Sequence, residues 1–345
     1  IYFQCTMKIL IIRLGAIGDI IMTTPISKAI KEQYPESEIT YLVGKWSAGV
    51  LRNNPHIDKI IEVDEEWFFK KQINRLKTLI QDLRREQFDV GMALDKSWLF
   101  NTFMLFCGIK NRYGFSREHH FINIILIKKP IKFLGEKKEY QYYDNILNAS
   151  FGLKYNYSDM SLYPTKKEES AIDRYMEDER HKPKFIGIAP GGATNPGQKA
   201  VQKRWPKNYY KQLIDYLLND KKRQVILIGG EDDRHHNKFP EFLGDKNFYD
   251  LTGVFNIRQV YYLLKKYCDT FVCNDSGPMH VAAAARVRKL ITIFGPTPSK
   301  RFAPKNAIVI TSPKCPANYN LDGTFQNQDY CMNHIKVEQL LEVLK

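Results

Sequence analysis

The sequence has no hydrophobic run long enough to span a membrane as a helix, which requires roughly 18 to 20 apolar residues. The most apolar short segment, residues 121–127, contains an asparagine and is followed by two lysines, so we expect a buried strand or short helix there. The opening Ile-Tyr-Phe-Gln is typical of the remnant of a cleavable tag, and we expect Met7 to be the native start. No signal peptide is expected after Met7, because a strand begins almost at once.

Cysteine is sparse, and its spacing forms no framework. The chain has six cysteines, and the five that follow Met7 include no C-x-x-C pair. An odd number without framework spacing indicates a reducing compartment, and the missing pair argues against a zinc site. Cys107, Cys268 and Cys273 are predicted to be small buried side chains. We therefore expect no metal and no other cofactor.

Acidic residues are outnumbered, with 38 Asp and Glu against 52 Lys and Arg, which leaves a net charge of +14. Such an excess indicates a polyanionic partner, which can be nucleic acid, an anionic membrane surface or a phosphorylated substrate. Nucleic acid ranks last, because zinc-finger spacing, RNP-type aromatic motifs and long basic helices are all missing. A lysine cluster between Lys128 and Lys138 fits an anionic contact or a solvated loop.

What the sequence does contain is an alternation of apolar strands and amphipathic helices, which occurs twice. The pattern predicts, among others, one long helix over 68–85 in the first series, and a strand over 185–189 and a helix over 257–267 in the second. Continuous apolar strands of this kind are typical of parallel sheets covered on both faces. We predict an α/β protein with two Rossmann-like, doubly wound domains facing across a cleft. The N-terminal domain should span residues 7–165 and the C-terminal domain 185–332. Residues 166–184 should form a helix and linker, and a last helix within 333–345 should pack back on the N-terminal domain.

The first predicted strand, residues 8–13, leads through Gly15 and Gly18 to Asp19. Two glycines three residues apart permit a tight turn and close approach of a ligand, but the spacing is not that of a dinucleotide site. A helix is predicted over residues 20–34, so Asp19 can cap it. Alternatively, Asp19 is a general base at the carboxyl edge of the sheet, where ligands of open α/β sheets bind.

In the second domain, the segment Asn-Asp-Ser-Gly-Pro-Met-His at 274–280 follows a predicted strand. Ser276 or Asp275 can cap the next helix, Gly277 permits close approach, and Pro278 suits the first helical turn. The free backbone N–H groups of such a helix start can bind a diphosphate. The alternative is an ordinary strand–turn–helix connection.

Two further glycine turns follow predicted strands of the second domain. The turn 190–192 precedes Thr194, whose hydroxyl can bind phosphate, as can the cations Lys203 and Arg204. The turn Gly229-Gly230 precedes Glu231, which suits a ribose hydroxyl pair or helix capping.

The order of these motifs resembles that of the lipopolysaccharide heptosyltransferases, which are inverting glycosyltransferases with the GT-B fold. The resemblance covers almost the whole sequence after Met7. It is carried by Ile-Arg-Leu-Gly-Ala-Ile-Gly-Asp at 12–19, Thr24-Pro25, Asp95, Arg112-Tyr-Gly-Phe, Pro190-Gly-Gly-Ala, Lys203-Arg-Trp-Pro, Gly229-Gly-Glu231, the segment 274–280, Phe294-Gly-Pro-Thr-Pro and Cys331-Met332.

The resemblance implies that Asp19 is the catalytic base. It also implies a donor-binding set in which Lys203 contacts the phosphates, Glu231 the adenosine ribose and Asp275 the donor heptose. The full implied set is Thr194, Lys203, Glu231, Asp275, Ser276, Gly277, Pro278 and Met279. The acceptor should bind to the basic residues of the N-terminal domain: Lys45, Lys96, Arg112 and Arg117.

The implied reaction is the inverting, metal-independent transfer of heptose from ADP-heptose to a sugar hydroxyl of the lipopolysaccharide inner core. The expected location is the cytoplasm, with weak peripheral contact to the inner face of the bacterial inner membrane and no binding to nucleic acid. Two alternatives are a sugar-nucleotide epimerase on the same scaffold and a non-enzymatic polyanion-binding protein.

Overall fold

The computed structural model describes residues 6–116, 126–178, 184–192, 194–195, 198–321, 323–327 and 329–345. The chain divides into two compact units between Tyr163 and Pro164. Each unit contains a parallel sheet of six strands with helices on its faces. The predicted fold class, α/β with two doubly wound domains, is confirmed.

The first unit has the strand order β3-β2-β1-β4-β5-β6, and all pairs are parallel. Residues 9–12 of β1 are completely buried, as expected for a central strand covered on both faces. The elements are β1 (Lys8–Ile12), α1 (Ile17–Gln33), β2 (Glu38–Gly44), β3 (Lys59–Val63), α2 (Glu66–Phe69), α3 (Ile73–Glu86), β4 (Val90–Ala93), α4 (Trp98–Phe106), β5 (Asn111–Ser116), β6 (Lys129–Lys132) and α5 (Glu139–Phe151).

The second unit repeats this topology in the order β11-β10-β7-β12-β13-β14. Its elements are α6 (Lys166–Asp178), β7 (Phe185–Ala189), the antiparallel pair β8 (Thr194–Asn195) and β9 (Gln198–Lys199), α7 (Lys207–Asp215), β10 (Val225–Leu227), β11 (Phe248–Asp250), α8 (Ile257–Tyr267), β12 (Cys268–Asn274), α9 (Gly277–Ala284), β13 (Lys289–Ile293), α10 (Ser299–Phe302), β14 (Ile308–Ile310) and α11 (Val337–Leu344).

Segment 166–184 was expected to contain a linker, but its helix α6 belongs to the second unit, where it packs against α8. Glu168 on α6 forms an ion pair with Arg258 at the start of α8, 2.5 Å away. Burial alone would raise the pKa of Glu168, but hydrogen bonds from Arg258, the Thr165 N–H and Asn256 lower it to about 2. A helix held in this way is part of the domain. Residues 179–183 lie outside the described part of the chain.

The last helix, α11, was expected to pack on the N-terminal domain. Its buried residues Val337 and Leu340 lie in the core of the second unit, together with Trp205 and Leu213. The Trp205 indole Nε1 donates a hydrogen bond of 2.7 Å to the Ile335 carbonyl, which fixes the chain just before the helix. The apolar face of α11 therefore completes the core of its own domain.

Truncation of Leu340 tests this packing. Leu340 is completely buried, so Leu340→Ala should lower the free energy of unfolding of the second unit by about 2–5 kcal/mol. Leu243, which is 68% exposed in the same unit, provides the matched control, and Leu243→Ala should stay within about 0.5 kcal/mol of the unsubstituted protein. Urea unfolding followed by circular dichroism is the measurement. Equal effects of the two substitutions would contradict the placement of α11.

Candidate functional site

The strand order reverses once in each sheet. In the first sheet the reversal lies between the paired strands β1 and β4, and in the second between β7 and β12. Connections leave such a central pair in opposite directions, and the loops after its carboxyl ends form the crevice where open α/β sheets bind ligands. In the first unit, the glycine turn before Asp19 follows β1 and Asp95 follows β4. In the second unit, the 190–192 turn follows β7, segment 274–280 begins at the end of β12, and the Gly229-Gly230 turn follows β10. Each unit therefore has its own polar cluster at its reversal point.

In the first unit, the Arg13 side chain binds two carboxylates, Asp19 in the first turn of α1 and Asp95 after β4. Arg13 follows β1, and its guanidinium donates one hydrogen bond to Asp95 Oδ2, 2.8 Å away, and another to Asp19 Oδ2. The Arg13 side chain is only 7% exposed, whereas the Asp19 and Asp95 side chains are 20% and 24% exposed. The arrangement is a buried cation that holds two partly open carboxylates at the carboxyl edge of the sheet.

The charge of Arg13 is secured by its surroundings. Burial alone would lower the pKa of Arg13, but Asp19, Tyr143, Asp95 and Glu139 raise it, and the net result is a pKa well above its ordinary value. The Tyr143 hydroxyl is fully buried, and this burial raises its own pKa. Arg13 is therefore a permanent cation, and Tyr143 stays neutral beside it.

Asp19 is not the N-cap of α1, which was one of its two interpretations. Ala16 occupies the N-cap position, and Asp19 is the third residue of the helix. The carboxylate does accept a hydrogen bond from the Ala16 N–H, but at 3.3 Å this bond is long. The carboxylate of Asp19 is thus oriented mainly by Arg13.

In the second unit, Asn274 connects the loops that follow β7 and β12. It is completely buried, and its amide nitrogen donates to the carbonyls of Pro190 (2.8 Å) and Gly191 (3.3 Å). Its side-chain oxygen accepts from the Trp205 N–H and the Tyr210 hydroxyl, both at 3.0 Å. This residue belongs to the segment 274–280, but no role is predicted for it from the sequence. It positions the glycine turn and the Lys203-Arg-Trp-Pro segment together.

Lys203 and Asp275 meet beside this anchor. The Lys203 ammonium lies 2.8 Å from Asp275 Oδ2, although the two residues are 72 positions apart. The hydroxyl of Thr297, a residue with no assigned role in the sequence analysis, donates to the same oxygen at 2.7 Å. The side chains of Lys203 and Asp275 are 17% and 8% exposed. One oxygen of the Asp275 carboxylate is thus fixed by two donors.

A second polar cluster orders the glycine turn after β7. Asp233 is buried and accepts hydrogen bonds from the N–H groups of Gly192 (2.7 Å) and Gly230 (3.0 Å). Gly192 has a φ of +80°, a conformation that favours glycine. Arg204 donates to the Gly192 carbonyl at 3.0 Å and to the Thr194 hydroxyl at 3.3 Å. Thr194 is therefore held beside a cation.

The start of α9 differs in part from the capping arrangement predicted from the sequence. Ser276 is the N-cap residue, but its hydroxyl donates to the Asn274 carbonyl and makes no capping bond. Gly277 and Pro278 form the first turn, as expected. Met279 is completely buried, and its N–H donates to the Ser276 carbonyl at 3.1 Å. Met279 therefore supports the turn through its buried side chain and its N–H.

Glu231 and Asp233 lie in the same 3₁₀ turn after β10, but their side chains have different environments. Asp233 supplies the capping bond to Gly230, whereas the Glu231 side chain is 71% exposed and lies 2.6 Å from the Arg234 guanidinium. Glu231 therefore lies at the open edge of the second sheet, where a ligand can reach it.

The four basic residues expected to bind the acceptor have different environments. Lys45 is exposed and follows β2. Lys96 forms an ion pair with the buried Glu139 and lies over the Phe133 ring. Arg112 donates to two backbone carbonyls, and burial lowers its pKa. That bonding makes it a structural residue. Arg117 lies outside the described residues.

The cysteines in the described ranges are either free or paired in a disulfide. Cys107, Cys268 and Cys273 are free and buried, which confirms their prediction. Cys315 and Cys331 form a disulfide that no spacing in the sequence indicated.

Among the residues that the structure describes, no three His, Cys, Asp or Glu side chains are grouped so that they could hold a metal ion. No helix in these ranges is both long and apolar enough to cross a membrane.

Known proteins match the chain in both sequence and structure. It is 26% identical to lipopolysaccharide heptosyltransferase 1 of Campylobacter coli, with 98% of each chain covered. It is 28% identical to lipopolysaccharide heptosyltransferase 2 of Salmonella typhimurium, covering 86% of this chain and 85% of the relative.

Solved structures show the same fold. The structure of the Escherichia coli ADP-heptose lipopolysaccharide heptosyltransferase II superimposes with a TM-score of 0.72 at 23% identity, covering 98% of this chain and 97% of the other. The iron-containing dodecameric glycosyltransferase TibC of enterotoxigenic E. coli is more distant, with a TM-score of 0.57 at 13% identity and coverage of 98% and 75%.

The family model for glycosyltransferase family 9 (heptosyltransferase) matches residues 76–327. The match begins within α3 of the first unit and ends before α11 of the second. This match confirms the predicted enzyme class and favours a transferase over the epimerase and polyanion-binding alternatives. The chain belongs to glycosyltransferase family 9, the heptosyltransferases.

Proposed function

We propose that this enzyme transfers heptose from ADP-heptose to a sugar hydroxyl of the lipopolysaccharide inner core, with inversion at the anomeric carbon. The observation that carries the proposal is the pair of polar sites at the two sheet reversals. One presents the partly open carboxylates of Asp19 and Asp95 on Arg13, and the other presents Lys203 with Asp275. The names of the relatives supply the sugar and the acceptor class.

On the acceptor side, Asp19 acts as the general base. Its carboxylate takes the proton of the acceptor hydroxyl while the acceptor oxygen attacks the anomeric carbon of the donor. The bond from that carbon to the diphosphate breaks, and ADP leaves with the bonding electron pair. A well-placed base typically contributes about 10²- to 10⁴-fold to the rate. Arg13 orients Asp19 for this step, and the exposed Lys45 is assigned to acidic groups of the acceptor.

On the donor side, positive charge stabilises the leaving diphosphate. We assign this role to Lys203, to Arg204 with the Thr194 hydroxyl, and to the start of α9 at Ser276, Gly277 and Pro278. These groups replace the metal ion that many glycosyltransferases use, so the reaction needs no metal and no other cofactor.

The remaining donor contacts follow from position. Asp275 Oδ2 is held by Lys203 and Thr297, and we assign Oδ1 to a hydroxyl of the donor heptose. The exposed Glu231 binds the adenosine ribose. The enzyme works in the cytoplasm at the inner face of the inner membrane, where its anionic acceptor is assembled, and it binds no nucleic acid.

Replacing Asp19 by Asn separates catalysis from structure. The amide keeps the size of the side chain and an oxygen for Arg13 and the Ala16 N–H, but it cannot accept a proton at neutral pH. Asp19→Asn should lower kcat by about 10²- to 10⁴-fold while donor affinity changes by a few fold at most. Initial rates and calorimetric titration with ADP are the measurements. Asp82→Asn, at a side chain that is 58% exposed, is the control and should be fully active.

An Asp19→Asn enzyme with unchanged kcat and an unchanged melting temperature would refute the assignment of the base. The search would then move to Asp95, the other carboxylate on Arg13.

Lys203→Ala should weaken ADP binding and slow transfer together, because the cation contacts phosphate in both the ground state and the transition state. Hydrogen bonds to charged groups contribute about 1.5–3 kcal/mol, so we expect affinity for ADP to fall by about 10- to 100-fold. Titration calorimetry with ADP is the measurement. Lys211→Ala removes a lysine that is 55% exposed and paired with Glu241, and it should leave binding unchanged. Equal affinities of the two variants would exclude Lys203 from the phosphate site.

Transfer should persist in the presence of a strong chelator, because lysine, arginine and a helix start neutralise the diphosphate. Initial rates of the purified enzyme before and after exhaustive chelation decide the matter. A chelated enzyme that is inactive and recovers with added iron or another divalent cation would overturn the metal-free mechanism.

A further inference from the structure

Helix α4 exposes an apolar face that the core does not account for. From Trp98 to Ile109 the sequence Trp-Leu-Phe-Asn-Thr-Phe-Met-Leu-Phe-Cys-Gly-Ile has no charged residue. One side of the helix is buried, with Phe100, Phe103 and Met104 packed in the core of the first unit. The other side is open: Trp98, Leu105 and Phe106 are 44%, 42% and 58% exposed.

These three side chains form one stripe. Positions 98, 105 and 106 have the i, i+7, i+8 spacing that places residues on the same face of a helix. With a rise of about 1.5 Å per residue, the stripe is roughly 12 Å long. Exposed apolar patches mark sites that contact proteins or membranes, and tryptophan is enriched at the headgroup level of bilayers.

Basic residues surround the end of the stripe at Phe106. Lys110 follows the helix and is exposed, and the exposed Lys128 is brought to the start of β5 by a contact of 3.1 Å between its ammonium and Asn111 Oδ1. Arg84 of α3 lies beside Gly108. Within the described residues 107–116 and 126–135 there are five lysines and arginines and no Asp or Glu. An apolar stripe with a basic margin is complementary to an anionic membrane surface.

The charge of the chain argues against a second copy as the occupant. Each chain carries a net charge of +14, so joining two of these basic margins would bring like charges together. An anionic lipid surface neutralises the same margin.

The stripe begins at the catalytic edge. Asp95 Oδ1 accepts a hydrogen bond of 3.1 Å from the N–H of Ser97, the N-cap residue of α4, while Asp95 Oδ2 binds Arg13. The start of α4 is therefore tied directly to the carboxylate pair. The Trp98 end of the stripe therefore lies at the same edge of the sheet as Asp19.

We propose that α4, through Trp98, Leu105 and Phe106, inserts into the interface of an anionic bilayer and so presents a membrane-anchored acceptor to Asp19. The proposal rests on the proposed function only for the identity of the acceptor. It implies that membrane binding has two parts, a salt-sensitive part from the lysines and a salt-resistant part from the stripe.

The first test is co-sedimentation with vesicles of phosphatidylethanolamine and phosphatidylglycerol across a salt series. Leu105→Gln/Phe106→Gln should reduce binding at least tenfold at high salt. The matched control, Leu243→Gln/Val254→Gln, removes two side chains that are 68% and 51% exposed in the other unit, and it should bind like the unsubstituted protein. Equal loss in the two double variants, or no loss in either, would overturn the proposal.

Fluorescence locates the contact. Brominated lipids should quench the emission of Trp98, and Trp98→Phe should abolish most of the quenching. Trp46, which is 43% exposed in the same unit, provides the internal comparison. Quenching that persists in Trp98→Phe and disappears in Trp46→Phe would assign the docking to a different face and contradict the proposal.

Activity separates this proposal from the proposed function. With a soluble core oligosaccharide as acceptor, Leu105→Gln/Phe106→Gln should keep its kcat and KM, whereas with the acceptor embedded in vesicles its KM should rise at least tenfold. An equal KM on both acceptors would overturn the docking surface.

An unsubstituted enzyme that transfers heptose to neither acceptor would refute the proposed function, while vesicle binding would still test α4. If the double variant has a lower molecular mass in solution than the unsubstituted protein, the stripe binds a second copy of the chain, and the membrane proposal is overturned.

Discussion

The reversal of strand order at the centre of each buried parallel sheet decides where this protein can hold polar groups. Residues within β1 and β7 are enclosed by helices on both faces, so their side chains are apolar. The polar groups described above lie at or just after the carboxyl ends of the strands, and at a reversal the loops from two neighbouring strands meet without a helix between them. Arg13 with Asp95 occupies one such point, and Asn274 with the 190–192 turn occupies the other.

Each reversal is organised by one buried polar residue whose partners come from distant parts of the chain. Arg13 joins two carboxylates, and Asn274 fixes two loops through four hydrogen bonds. Buried polar groups are costly unless their bonds are made, so these residues specify a single arrangement of the loops. The exposed Glu231 is positioned separately, by the turn that Asp233 caps and by its ion pair with Arg234.

The sequence predicted much of this architecture because parallel strands and their helices leave strong local patterns. The bounds of β7 and α8 agree with the predicted 185–189 and 257–267. A single helix predicted over 68–85 is in fact α2 and α3, separated near Lys71, whose φ of +49° ends the first helix. Helix α4 has no charged residue and therefore no amphipathic period from which it could be recognised.

Contacts between distant residues could not be predicted in the same way. Arg13 and Asp95 are 82 positions apart, and no local pattern records that their strands are neighbours. The same holds for Thr297 on Asp275, for the Cys315–Cys331 disulfide and for the packing of α11. The resemblance to heptosyltransferases indicated which residues matter, but the structure was needed to separate exposed groups such as Glu231 from buried ones such as Met279.

The most direct test of the account is the product of one reaction. Purified enzyme is incubated with ADP-heptose and a lipopolysaccharide core acceptor, and the product is analysed by mass spectrometry and by nuclear magnetic resonance of the new glycosidic linkage. We expect ADP and an acceptor that has gained one heptose, with the anomeric configuration inverted relative to the donor. Donor consumption that yields only a soluble isomer, or a product with retained configuration, would contradict it.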